Sequence, residues 1–335
     1  MNINGIVDWK LPAICASMIF LLLSGCTPTG EDPVLEVPHE ERFGIYALDL
    51  ATEEVELIAS SAEGFSFLRP SATGEYFFFS RMIDDDGAVP DSLDGEICSI
   101  GIDGEGFQRI TNNDYWDIYP AASPDDTTLV FLTNRQAVFN LDLYLVDSDG
   151  NNERLLFDSG THDADVHWRN DLITFTSGDR IWTINADGSN PAPLTDPPRA
   201  GEWENAPLPY GDYDPRLSPD ATRIAFSRMV DATNIHGGYD IFLIDVNGNS
   251  EINLTNNGVD GYTQGLSSWS HEGDRIVFMV SAISGAGAYD IWMMNANGTE
   301  RHNVTPDYFP MEFLCHFPFF SQDDSVIYFL GEWWE

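Results

Sequence analysis

The sequence contains an internal repeat of about 50 residues, and this repeat constrains the fold more than any other feature. Each copy has a short run of β-branched and aromatic residues that ends in phenylalanine, after a turn that is clearest at Ser123-Pro124-Asp125-Asp126. Because proline presets φ and aspartate caps the turn, the chain reverses there between two strands. The runs of the six copies end at Phe79, Phe131, Phe175, Phe226, Phe278 and Phe329.

A third and a fourth strand complete most copies. The third strand is followed by a tight turn with glycine, as at Gly150 and Gly248, where glycine supplies a left-handed backbone freely. The fourth strand is short and is followed by threonine, as at Thr111 and Thr255. The third strands are predicted at Ile97–Ile102, Leu141–Val146, Arg180–Ile184, Tyr239–Ile244 and Tyr289–Met294.

The repeat closes on itself. The last copy has only two strands, within Phe317–Leu330, and its missing pair lies at the other end of the domain, as Gly44–Asp49 and Val55–Ala59. The sequence therefore predicts an all-β, six-bladed β-propeller with four-stranded antiparallel blades. N- and C-terminal strands share one blade, which removes the edge strands of the ring.

The repeat also resembles that of a known family. Pro215–Phe226 with Tyr239–Asp245 is similar to the WD-like repeat of TolB-type propellers, where a Ser-Pro-Asp-Gly turn precedes an Ile-Ala-Phe strand and an Asp-Ile-Tyr strand follows. The resemblance covers residues 43–331 and implies the propeller fold. TolB itself adds an N-terminal α/β domain and works with the Tol–Pal envelope system, whereas this chain has a proline- and acid-rich segment before the repeat.

The N-terminus has the pattern of a secretion signal. Residues 11–24 are apolar, follow Lys10 and are too few to span a bilayer comfortably. They end in Leu23-Ser24-Gly25-Cys26, which resembles the bacterial lipobox and implies that Cys26 is lipidated; the alternative is an ordinary buried cysteine. We expect a signal peptide at 1–25, a flexible acidic tether at 26–42 and the propeller at 43–335. This predicts a lipid-anchored protein of the bacterial cell envelope, on its periplasmic or cell-surface side.

The net charge restricts the partners. With 15 Lys+Arg against 55 Asp+Glu, the formal charge is −40, which repels nucleic acid and anionic membrane surfaces and attracts cations or basic partners. The alternative is adaptation to a high-salt environment, and the even spread of acids along the chain favours it. We expect a monomer that contacts the membrane through its lipid alone.

The two ends of the propeller differ in loop length. Turns between first and second and between third and fourth strands share one face, here called the turn face, and the other loops share the loop face. The loop face has the long loops Met82–Glu96, Asp196–Asp214 and Met229–Gly238. Irregular loops on a rigid scaffold often bind ligands, which makes this face the predicted binding surface.

One position in each copy, six residues before the turn serine or its equivalent, is predicted to ring the mouth of the central channel. It is occupied by Phe65, Asp117, Asp163, Asp212, Gln264 and Cys315. Nearby in sequence are Trp116, His162, Trp203, Tyr210, Tyr213 and Tyr262. Acids with aromatics can bind a metal ion, a cationic peptide or a sugar. Alternatively, the acids cap the innermost strands and the aromatics pack between blades.

Three features raise further questions of metal binding and disulfide chemistry. A zinc or manganese site is a candidate at His162, Asp163, Asp165 and His167, although alternation in a strand sends neighbouring side chains to opposite sides. A calcium site is a candidate in the acidic loop at Asp84, Asp85, Asp86, Asp91, Asp94 and Glu96, against the simpler interpretation of a solvated loop. Cys98 falls in a third strand and Cys315 ahead of a first strand, so we expect no disulfide between them.

Two functions fit these features. The first is a cell-envelope binding or scaffold protein that presents the loop face to a protein or peptide, and the negative field favours a cationic one. The alternative is an extracellular glycan-binding or glycan-degrading propeller with a metal at the channel mouth. Because the sequence has no Gly-x-Ser-x-Gly elbow and its histidines are scattered, binding is favoured over catalysis.

Overall fold

The computed structural model describes residues 42–62, 64–83, 95–137, 140–256, 262–282, 289–310 and 312–333. The predicted signal peptide, the lipidation site Cys26, the tether up to residue 41 and the loop acids Asp84–Asp94 lie outside the described residues. Within the described ranges, no helix is long and apolar enough to cross a membrane.

The described chain forms 24 strands in six antiparallel sheets of four, as predicted. Blade 1 contains β3 (Ser66–Pro70), β4 (Tyr76–Met82), β5 (Gly95–Gly101) and β6 (Gln108–Arg109). Blade 2 contains β7 (Asp117–Ala122), β8 (Thr128–Ala137), β9 (Asn140–Asp147) and β10 (Arg154–Phe157). Blade 3 contains β11 (Asp163–Arg169), β12 (Leu172–Ser177), β13 (Arg180–Asn185) and β14 (Ala192–Pro193).

The other three blades include the one that joins the chain ends. Blade 4 contains β15 (Asp212–Leu217), β16 (Arg223–Asp231), β17 (Gly238–Asp245) and β18 (Ile252–Asn253). Blade 5 contains β19 (Tyr262–Trp269), β20 (Arg275–Ala282), β21 (Asp290–Asn295) and β22 (His302–Asn303). The shared blade contains β23 (Phe313–Phe320), β24 (Val326–Trp333), β1 (Phe43–Asp49) and β2 (Val55–Ser61).

The shared blade closes the ring as predicted. Strand β24 pairs antiparallel with β1 from Phe43↔Glu332 to Asp49↔Val326, and its other edge pairs with β23. The innermost strands β3, β7, β11, β15, β19 and β23 lie side by side around the channel. Gln322 Nε2 donates to the Ala72 carbonyl at 2.9 Å, which joins the shared blade to blade 1.

The repeated phenylalanines form the centre of the core. All six side chains that end the predicted runs, from Phe79 to Phe329, are completely buried within their blades. Burying such a side chain contributes about 2–3 kcal/mol, so the repeat places an anchor in every blade. Turn hydrogen bonds fix the strands around them: Ser123 Oγ donates to Asp125 and accepts from the Thr128 amide at 3.0 Å.

Every innermost strand contains a bulge at the same position. The register with the second strand shifts in the middle of each of these strands, and one residue there has a left-handed backbone. A bulge adds an unpaired residue and changes where side chains point. The left-handed residues are Phe67, Tyr119, Asp165, Asp214, Leu266 and Phe317.

Candidate functional site

The predicted ring position does lie where the innermost strands begin. Asp117, Asp163 and Asp212 are the first residues of β7, β11 and β15, and Phe65 comes just before β3. Gln264 and Cys315 differ slightly from the prediction, because β19 and β23 begin two residues earlier and include them. All six side chains are buried.

Two of the ring acids are paired within their own blades. Both oxygens of Asp212 accept from Arg228 on β16, at 2.6 and 2.9 Å, and Arg228 also pairs with Glu251. Asp117 accepts from Arg135 on β8 at 2.7 Å. These carboxylates point along their blades toward the second strand, which differs from the converging acid ring expected from the sequence. A binding role for the ring residues stays a prediction.

Asp163 has a different environment. It accepts from Ser159 Oγ at 2.7 Å, and no salt bridge reaches it from the described residues. Burial, with a smaller contribution from the carboxylates of Asp142 and Asp158, raises the pKa of Asp163 to about 7. Asp142 is also buried, with a pKa raised to about 6 by burial and by Asp158. Asp163 therefore titrates near neutrality within a group of three acids.

The aromatic residues near the ring divide into buried and exposed sets. Trp116, Tyr210 and Tyr213 are buried, and Tyr213 donates its hydroxyl to the Pro209 carbonyl at 2.8 Å. These three side chains pack within the structure, in agreement with the alternative that the aromatic residues have a packing role. Trp203 is 61% exposed and Tyr262 is 49% exposed, so both are available on the loop face.

The four candidate metal ligands of blade 3 do not converge. Asp165 accepts from Thr176 at 3.0 Å inside the channel, whereas His167 Nδ1 accepts from the Leu217 amide at 3.2 Å. His162 is half-buried beside Asp163, at the loop end of the same strand. Across the described ranges, no three His, Cys, Asp or Glu side chains are arranged to hold a metal ion.

Glu96 has a structural role that conflicts with its proposed place in a calcium loop. It is completely buried and accepts from Arg109 at 2.7 Å, from the Thr111 hydroxyl and from the Asn113 amide. Its oxygens are therefore occupied inside blade 1. Cys98 and Cys315 are both buried free thiols, in blade 1 and in the shared blade.

The bulge residues, two positions beyond the predicted ring, are the ones that fill the channel. The rings of Phe67 and Tyr119 lie 3.7 Å apart, and Phe317 approaches Phe67 at 5.8 Å. On the other side, the Asp214 amide donates to Asp165 at 3.2 Å. The channel therefore has an aromatic side, from blades 1 and 2 and the shared blade, and an acidic side from blades 3 and 4.

A basic layer follows two residues further along these strands. Arg69 and Arg216 are both buried, and His167 is half-buried at the same end of the channel. Arg169 lies two residues beyond His167 and is also half-buried. Burial and the charges of Arg216, Arg169 and Arg69 lower the pKa of His167, which keeps its imidazole neutral. Burial and Arg216 lower the pKa of Arg69 to about 9. Basic side chains are thus concentrated inside a molecule whose overall charge is negative.

Sequence reasoning missed this layer, although a signal existed. Arg69 and Arg216 each stand two residues before the turn serine of their copy, and His167 occupies the same column of the alignment. Three basic side chains in one column of such an acidic chain are unusual.

The loop face carries a large share of the exposed apolar side chains. Of the ten large apolar side chains exposed in the described ranges, half lie on loops or strand ends of this face. They are Met82, Tyr115, Trp203, Ile235 and Tyr262. The other half lie on the turn face and along the outer strands.

Comparison with known proteins identifies the architecture. No protein-family model and no curated protein matches the sequence. A putative TolB from Agrobacterium tumefaciens has a similar structure, with a TM-score of 0.66 and 16% identity over 88% of this chain and 99% of that chain. TolB from Acinetobacter baumannii gives 0.58 and 15%, over 80% and 65%. An oligogalacturonate lyase from Vibrio parahaemolyticus gives 0.50 and 13%, over 86% and 83%. At these identities the similarity establishes a TolB-type propeller fold.

Proposed function

We propose that this chain is a lipid-anchored protein of the bacterial cell envelope that presents its loop face to a protein or peptide partner. The observation that carries the proposal is the set of exposed apolar side chains on that face. Trp203 and Ile235, at 61% and 70% exposed, lie on loops of blade 4 or leading into it. Exposed aromatic and aliphatic residues of this kind act as anchors in protein interfaces.

The charge of the loop face favours a basic partner. The long loop before blade 4 carries Asp196, Glu202 and Glu204, and its Arg199 is already paired with both glutamates. A cationic segment bound there gains electrostatic attraction as well as apolar contact. The TolB-type fold is consistent with such a scaffold role and with an envelope location.

Site-specific photocrosslinking in cells of the source bacterium tests the binding face. A photoreactive residue at Trp203 or Tyr262 should give a discrete adduct, because both side chains face solvent on the loop face. The matched control is Ile102, which is also exposed but lies in a turn on the turn face. Equal adducts from all three positions, or adducts from Ile102 alone, would exclude the loop face as the binding surface.

The lipid anchor is tested by labelling with a clickable fatty acid. Cys26→Ser should abolish labelling and leave an uncleaved precursor, since the thiol is the acceptor in a lipobox. Cys15→Ser, within the apolar run, is the matched control and should keep the label. Label that persists on the Cys26→Ser protein would show that the anchor lies elsewhere or does not exist.

A further inference from the structure

The guanidinium of Arg69 has a free binding edge inside the channel. Arg69 is 8% exposed, and its Nη1 donates to the Leu68 carbonyl at 2.9 Å. Its Nε and Nη2 are buried and have no hydrogen-bond partner among the described residues. These two atoms lie on one edge of the guanidinium plane, the edge that donates to both oxygens of a carboxylate. A buried donor without a partner is costly, so this edge indicates a missing ligand.

Further basic groups surround the same end of the channel. Arg216 of blade 4 and Arg169 of blade 3 act electrostatically on His167 together with Arg69. Arg169 Nε is also buried without a partner in the described part of the chain. Arg169 ends β11 at the turn to β12 and is partly exposed, as is His167, so the turn face is the side of this basic cluster that lies nearest to solvent.

The nearby acids leave this basic charge incompletely balanced. Asp165 is held by the Thr176 hydroxyl and the Asp214 amide, and Asp214 lies 3.7 Å from Arg216. Desolvation and the neighbouring Asp165 raise the pKa of Asp214, so these two carboxyls do not both ionise readily. The three arginines therefore outnumber the two carboxyl groups that lie beside them, and a bound anion would reduce the excess positive charge.

We propose that the channel binds a carboxylate at its turn-face end, with Arg69 donating through Nε and Nη2 and with Arg216 and Arg169 supplying charge. The planar, two-oxygen shape of a carboxylate matches the free edge of Arg69. The Phe317 ring, 5.3 Å from the guanidinium carbon, supports the other side of the cation. This site is separate from the loop face and does not depend on the partner proposed for it.

Acetate binding to the purified full-length protein tests the site. Acetate replaces chloride at constant ionic strength, and saturable binding is followed by NMR shifts of the arginine side chains. We expect Arg69→Gln to weaken acetate binding by about tenfold or more, because charge-assisted bidentate bonds are lost. Arg69→Lys keeps the charge but lacks the planar edge with two donors, so it should recover only part of the affinity for acetate. Arg154→Gln, at an exposed arginine, should bind acetate as the parent does.

Several outcomes decide the proposal. No saturable acetate binding by the parent, or equal binding by Arg69→Gln, overturns it. If Arg69→Gln does not fold, the more exposed Arg169→Gln decides, and unchanged acetate affinity in that variant also overturns the site. A short peptide with uncharged side chains and a free C-terminus is compared with its C-terminal amide to identify the source of the carboxylate. Tighter binding of the free acid than of acetate indicates a peptide terminus, and equal binding indicates a small organic acid.

Discussion

The carboxyl group of Asp163 is buried at the junction of blades 2 and 3 beside Asp142 and Asp158, and its protonation should control stability. Its pKa is about 7 in the folded state against 3.8 as the ordinary value, so the folded protein keeps a proton that the unfolded chain releases. The stabilising contribution is complete below the unfolded pKa and is lost as pH rises through about 7. The Asp163→Asn variant has no such contribution to lose. Its free energy of unfolding, relative to that of the parent, should therefore increase by roughly 2 kcal/mol as pH rises from 5 to 8.

Urea unfolding of both proteins at the two pH values measures this gain. Comparing variant with parent cancels the opposite contribution of His316, whose lowered pKa is common to both. Asp196→Asn is the control, since that carboxylate is 87% exposed and its replacement removes the same charge without changing a buried group. A constant difference between Asp163→Asn and parent across the range would mean that Asp163 is ionised in the folded protein throughout.

For individual residues, the sequence could predict positions along the strands but not the directions in which the side chains point. The repeat alignment correctly placed Asp117, Asp163 and Asp212 where their innermost strands begin. It could not show that Asp212 points at Arg228, because that contact spans 16 residues and depends on strand register. The bulge in each innermost strand then turns the next residues into the channel, which brings Arg69 and Asp165 there. A bulge has no simple signal in one sequence, so the basic layer was missed.

The strands themselves were predictable, because strand periodicity and turn residues repeat in every copy. The predicted third strand Leu141–Val146 became Asn140–Asp147, and the others differ by similar amounts. The fourth strands are short, as predicted, with two residues each in four blades. The reason is local: Thr255 Oγ accepts from the Ile241 amide at 3.0 Å, and this side-chain hydrogen bond replaces a backbone–backbone hydrogen bond between the third and fourth strands.

Glycines in the turns between third and fourth strands allow a test at the scale of elements. Gly104 and Gly248 have nearly the same left-handed backbone, with φ of +79° and +81°. A Cβ at Gly104 would lie 2.2 Å from the Ile58 carbonyl of the shared blade, whereas a Cβ at Gly248 would lie 3.6 Å from the Leu194 carbonyl. Gly248→Ala should cost about 1 kcal/mol from backbone strain alone, and Gly104→Ala about 3 kcal/mol, because the blade contact must also shift.

Chemical denaturation of the two variants separates strain from packing, since the backbone conformation is matched. Neither substitution touches the loop face, so crosslinking from Trp203 should persist in both folded proteins. Equal losses of stability at the two sites would show that the turn of blade 1 does not press against the preceding blade in solution.

For the whole molecule, the shared blade should decide whether the ring holds together. Deleting residues 313–335 removes β23 and β24 and leaves β1 without its partner, which exposes strand edges on both sides of the gap. We expect aggregation and loss of a cooperative thermal transition. The matched control is a circular permutant that starts at Gly64 and joins residue 333 to residue 42 by a short linker. The Trp333 amide already donates to the Arg42 carbonyl at 3.0 Å, so the join needs little length.

The permutant keeps every strand and should melt like the parent, as measured by calorimetry. If the deleted protein stays soluble and melts cooperatively at the parental temperature, the terminal strands do not close the ring. If the permutant fails to fold while the parent is stable, the order of strand formation matters more than the final pairing.

The charge of −40 acts on the molecule as a whole. The dependence of Tm on KCl concentration tests whether this charge is an adaptation to high salt. Like charges spread over a surface repel each other and destabilise the compact state, and salt reduces this repulsion as the Debye length falls from about 10 Å at 0.1 M to about 3 Å at 1 M. If the acidity is an adaptation to high salt, Tm should rise steadily with KCl up to at least 1 M. A variant with four exposed glutamates replaced by glutamine should show a smaller rise and a higher Tm at low salt. Suitable positions are Glu54, Glu56, Glu75 and Glu105, which lie away from the loop face.

A parental Tm that does not change with KCl would show that folding needs no screening, and the acids would then be explained by attraction of a cationic partner. In that case the same four substitutions should slow association with a basic peptide at low salt, because steering depends on the field of the entire surface.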